Sequence, residues 1–146
     1  MAQAKKPIVS WILQALIILI LLMAGPIPKL TGDEGAIALF TELGAEPIGR
    51  YVVGALEAIA MILLIVPKTT ATGAVLTAGL MFGAIMGHII KLGISISADV
   101  HPGLEGPSMF IMASVAFIAS LIIIILRRAQ LPIIGAKFTS VSAVPE

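Results

Sequence analysis

The sequence predicts an all-α membrane protein, a four-transmembrane-helix bundle with a short amphipathic helix in its first outer loop. Three observations carry this. Of the 146 residues, 59% are hydrophobic and only 12% are charged, whereas about a quarter of a typical soluble domain is charged. The apolar residues fall into four runs, at 8–25, 49–66, 71–90 and 107–126, each close to the ~20 residues a helix needs to cross a hydrocarbon core. Most of the prolines and most of the charges lie outside the runs. Helices are required because an isolated strand leaves its backbone unsatisfied in lipid. No internal repeat or linker stands out, so a single domain over 1–146 is expected.

The first run begins behind Lys5 and Lys6, as in a secretory leader. It is longer than a leader's apolar core and no A-x-A cleavage site follows, so it is expected to stay as a membrane helix. "GPIPK" (25–29) ends it, because two prolines cannot continue its hydrogen bonding. In the loop that follows, Thr31-x-x-Glu34 matches a capping box. Ala36, Leu39, Phe40 and Leu43 then share one helical face and Gly44 is a natural stop. Such a helix lies at the interface or lids the bundle.

The second run holds "GALEAIAMILLIVP" (54–67), with Glu57 alone among aliphatic residues, and "VPKTT" is a tight turn into the third. The third run spaces Gly79, Gly83 and Gly87 four apart. This doubled GxxxG pattern is expected to be a helix-packing seam, within the chain or in a homodimer. In the 91–106 loop Ile94, Ile96 and Ala98 alternate with serines, which suits a short extended piece. Pro107 fits the first turn of the fourth helix. A tail, 127–146, follows "LRRAQLP".

With both termini in the cytoplasm, Lys5, Lys6, Lys68, Arg127, Arg128 and Lys137 lie inside and Lys29, Arg50 and Lys91 outside. That bias favours this orientation in the cell membrane. The net charge of +1 implies no nucleic-acid surface. The absence of cysteine removes disulfide, CxxC and thiolate–metal chemistry. With His88 and His101 the only histidines, no metal site or bis-histidine haem is expected.

Glu57 needs a compensating partner, since a charged acid near the centre of a span costs about 2.5–3.5 kcal/mol on insertion scales. The expected topology places it roughly 12 Å below the outer boundary. His88 lies near the outer end of the third helix, Lys29 just beyond that of the first, and Arg50 two turns above Glu57 on its own helix. Lys29, Arg50, Glu57 and His88 therefore form the candidate binding set, with Glu57 and His88 as candidate proton-exchanging groups. No comparable polar set is expected in the inner half. Each residue also has a plainer reading. Arg50 is an ordinary interfacial charge, Lys29 a snorkelling one, His88 an interhelical hydrogen-bonder and Glu57 structural glue. Met61, Met81, Met109 and Met112 read as lipid or core packing.

"AGPIPKL", "FTELGAEP", "GALEAIAMILLIVP" and "AGLMFGAIMGHIIKLG" together resemble the DoxX and DoxX-like family of small four-helix membrane proteins, over roughly Trp11 to Gly93. The ordered set Lys29, Glu57, Pro67 and His88 carries most of the likeness. Pro26 and Pro28 depart from it, since the family usually continues helically up to its lysine. The resemblance implies the fold more than a chemistry. Its members include a small subunit of an archaeal thiosulfate:quinone oxidoreductase, proteins linked to oxidative-stress complexes and, distantly, an animal receptor-assembly chaperone.

Three functions remain open at this stage, and whether the chain is an enzyme is not decided. One is a quinone- or lipid-linked membrane redox component, whose electrons must pass through a partner protein. The second is a non-enzymatic assembly or scaffold protein holding a client. The third is a small proton-coupled solute transporter. A lipid-accessible polar cavity favours the first, a filled interior the second, and a water path from Glu57 to the inner face the third.

Overall fold

The structure is a computed structural model that describes residues 2–99, 105–133 and 135, with side chains from Ile8 onward. His101, the side chains of Lys5 and Lys6, and the tail beyond 135, including Lys137, lie outside the described residues. Helix α1 (Ala2–Ala24) is followed by a six-residue α2 (Pro26–Thr31), the lid helix α3 (Glu34–Glu42), α4 (Ile48–Ile65) and α5 (Thr70–Gly87). Helix α5 runs into a π-helical turn, His88–Leu92, and α6 (Ser108–Leu126) completes the bundle. Four stretches, Ile8–Thr31, Ile48–Ile65, Thr70–Leu92 and Ser108–Leu126, are long and apolar enough to cross a membrane. The chain is a multi-pass membrane protein by that measure.

The long helices form a ring in which α1 touches α6 and α4, and α5 packs between α4 and α6. Ile17, Leu21, Leu64, Ala74, Ala116 and Ile123 fill its centre. Large apolar side chains such as Ile12, Ile62, Phe82, Ile118 and Ile125 point outward. In a bilayer that exposed surface meets acyl chains at no hydrophobic cost.

The two prolines do more than end α1. Helix α1 stops at Ala24, and Pro26 and Pro28 occupy the opening turn of α2, where a missing N–H costs nothing. Helix α3 starts two residues later than the sequence expectation. Asp33, not Thr31, is its N-cap, accepting from the backbone N–H groups of Gly35 and Ala36. The Thr31 hydroxyl instead donates to the Ile27 carbonyl inside α2. The amphipathic face is as expected, with Ala36, Leu39 and Phe40 buried, and Gly44 stops the segment at φ 72°. Leu39 and Phe40 pack with buried Ile96. Ile96 makes an antiparallel bridge to Gly106, the short extended piece expected of the 91–106 loop.

Within the chain, Gly79 and Gly83 are not the packing seam expected of the α5 ridge. A Cβ added at Gly79 or Gly83 would meet nothing within 4 Å, so neither is pressed against another helix of the chain; one at Gly87 would touch only Leu43. The close approaches are made elsewhere. A Cβ at Gly73 would lie 2.7 Å from the Leu64 backbone N, and one at Gly54 would lie 3.0 Å from Lys29 Cβ.

The opposite half is also more polar than expected. Ser10, Gln14, Thr70, Thr77 and Ser120 are all buried there. Most are satisfied nearby, with Thr77 donating to Gly73 and Ser120 to Ala116 within their own helices. Gln14 Nε2 and Arg127 Nε both donate to the Ser10 hydroxyl at 2.8 Å. Such hydroxyls are common in spans and need no partner helix to be satisfied.

Candidate functional site

The site is built at the lid end, where α2 crosses α4. Gly54 lacks the Cβ that would collide with Lys29 Cβ, so α2 can lie close against α4. Glu57 stands one turn further along the same helix. The Lys29 ammonium reaches it, with Nζ 3.1 Å from Oε1 and 2.9 Å from Oε2. The same ammonium donates to the Ala24 carbonyl at 2.6 Å and the Gly25 carbonyl at 3.3 Å. The Ala24 carbonyl closes α1, and Pro28 four residues on has no N–H to give it, so one lysine caps α1 and pairs with Glu57. Both side chains are buried. In that setting an ion pair is tolerated only with good geometry and further hydrogen bonds.

The ammonium straddles the carboxylate, hydrogen-bonded to Oε1 and in ionic contact with the buried Oε2.

Arg50 sits behind this pair. Its Nη1 donates to the Lys29 carbonyl and its Nε donates to the two Glu46 oxygens at 2.8 and 2.9 Å. It thereby ties the backbone of α2 to α4. It is buried, like the other three.

His88 opens the π-helical turn, and its Nδ1 lies 2.8 Å from the Gly93 carbonyl oxygen. The turn closes at Gly93 with φ 75° and ψ 167°, a conformation open essentially to glycine alone. A carbonyl only accepts, so Nδ1 carries the proton in this contact. Nε2 has no hydrogen-bond partner among the described residues. The Phe110 ring holds the imidazole edge-on at 5.7 Å. Such π-turns recur at functional sites.

Lys29, Glu57 and His88 line one cavity of about 340 Å³ that is partly open at the bundle surface. Arg50 does not line it. The walls are otherwise mostly apolar. Leu39, Phe40 and Leu43 come from the lid, and Gly79 and Gly83 from α5. The ridge that looked like a packing seam therefore supplies the room. Met81, Met109 and Met112, which read as packing in the sequence, are also wall residues. Spacing alone could not show this, since a glycine or methionine facing a void leaves the same pattern as one facing a neighbour. Among the described residues, no group of three histidines or carboxylates could hold a metal ion.

No curated protein and no solved structure matches the chain. The DoxX-like family does, over residues 12–98. That stretch runs from the middle of α1 through the extended piece beside the lid, and so contains Lys29, Glu57, His88 and the lid itself. The match covers more than half of the sequence, and with four membrane-spanning helices it establishes that the chain belongs to the DoxX-like family.

Proposed function

We propose that the protein binds the ring head group of a lipid-soluble redox carrier of the quinone type, as the membrane component of a system whose electrons pass through a partner protein. The observation that supports this reading is the cavity. It is apolar over most of its wall, has a few convergent polar groups and is of the size that small-molecule sites usually have. Its walls fit a flat amphiphile, with Phe40 and adaptable methionines for a ring and Glu57 and His88 as polar groups beside its oxygens.

The unfilled interior weighs against a plain scaffold. The packed layer of Ile17, Leu21, Leu64 and Ile123 weighs against a water path from Glu57 to the opposite face. Both termini in the cytoplasm, with the cavity in the outer leaflet, belong to the same proposal.

The test is equilibrium binding of a decyl-tailed benzoquinone couple to the protein in lipid nanodiscs. Saturable binding that is lost in Gly83→Phe, whose ring would occupy the cavity, supports the reading. Binding unchanged in Gly83→Phe, or mere partitioning into lipid, overturns it.

A further inference from the structure

We infer that the cavity selects a head group that donates hydrogen bonds, a ring hydroxyl of the phenol or quinol kind, over one that only accepts, such as a quinone carbonyl. The inference rests on the proposed ring-binding role and deepens it. It comes from counting donors and acceptors on the cavity wall.

Among the described residues, the Lys or Arg on that wall is Lys29, and its ammonium has three hydrogens. All three are directed to protein oxygens, at Ala24, Gly25 and Glu57 Oε1. None remains for a ligand carbonyl. Glu57 presents the opposite balance, because a carboxylate paired with one ammonium keeps further acceptor capacity and has no hydrogen to give. His88 does likewise. Its Nδ1 hydrogen goes to the Gly93 carbonyl, which leaves a lone pair on Nε2 in the neutral ring. Arg50, the remaining strong donor nearby, is turned away to Glu46 and the Lys29 carbonyl. Among the described residues the wall thus offers acceptor groups and no uncommitted side-chain donor. A carbonyl oxygen placed there would meet other acceptors, while a hydroxyl would donate to one of them.

The experiment uses redox-inert probes on the unaltered protein in nanodiscs. They are 4-pentylphenol and 4-pentylanisole, which differ at the ring oxygen by one hydrogen-bond donor, and a pentyl-tailed benzoquinone. The phenol is expected to bind roughly tenfold or more tightly than the anisole, the discrimination that one hydrogen bond to a charged acceptor supports. It should also bind more tightly than the quinone. In His88→Phe the phenol preference should shrink while anisole binding persists. Equal binding of phenol and anisole, or a preference for the quinone, overturns this inference and leaves the ring-binding role standing. No saturable binding of any probe overturns both.

Discussion

The Lys29 ammonium lies 2.9 Å from one oxygen of the Glu57 carboxylate and 3.1 Å from the other, and both side chains are buried. This pair accounts for a carboxylate within an otherwise apolar helix. Its cation comes from a separate short helix, started by two prolines and admitted by Gly54. Lys29→Met should therefore leave Glu57 unpaired and cost about 3–5 kcal/mol, as breaking buried pairs does. The double variant Lys29→Met with Glu57→Leu should recover much of that loss. Unfolding in detergent micelles checks it, and additive losses would show that the two residues are not coupled.

Two glycines on α5 should respond in opposite ways to enlargement. Gly73→Leu overpacks against the Leu63–Leu64 backbone and should destabilise by about 1–3 kcal/mol or more. Gly83→Leu enters open space and should be neutral or slightly stabilising. Equal destabilisation at both sites in micelle melting would place Gly83 against a neighbour after all.

Arg50 is expected to act through Lys29 rather than on a ligand. Arg50→Gln removes the tie to the Lys29 carbonyl and should lower stability, since hydrogen bonds from a charged group are stronger than neutral ones. In the Lys29→Met background the same change should cost less. Full additivity in the double-mutant cycle would separate the two residues.

The orientation can be read by labelling, since the chain has no cysteine of its own. A cysteine at Ser97, which is exposed at the lid end, should react with a membrane-impermeant maleimide on intact cells. One at Ser142 should react only after lysis. The reverse pattern would put the lid and the cavity on the cytoplasmic side.

The spans were legible because the apolar runs have the length a bilayer demands, and the observed helices fall within a few residues of them. The lid face was legible from the helical spacing of Ala36, Leu39 and Phe40, though its cap was not. Thr31 and Asp33 are both competent caps, and the prolines of α2 decide between them by drawing Thr31 into that helix. Lys29, Glu57 and His88 could be grouped from depth alone. The position of Arg50 could not, because its partner is the Lys29 backbone carbonyl, and every residue has one. The Gly79–Gly83 ridge was ambiguous for a related reason: a missing side chain marks space, and sequence does not say whether a helix of the same chain or a cavity fills it.

The central claim is that a ring head group sits in the cavity between Lys29, Glu57, His88 and the glycines of α5. Crystals grown in lipidic mesophase with a brominated alkylphenol, measured at the bromine absorption edge, test it most directly. The account predicts an anomalous peak inside the cavity, against Gly83 and Met109, with the ring hydroxyl within hydrogen-bond distance of Glu57 or His88. Bromine found only on the lipid-facing surface, or a cavity closed by its own side chains, would contradict it.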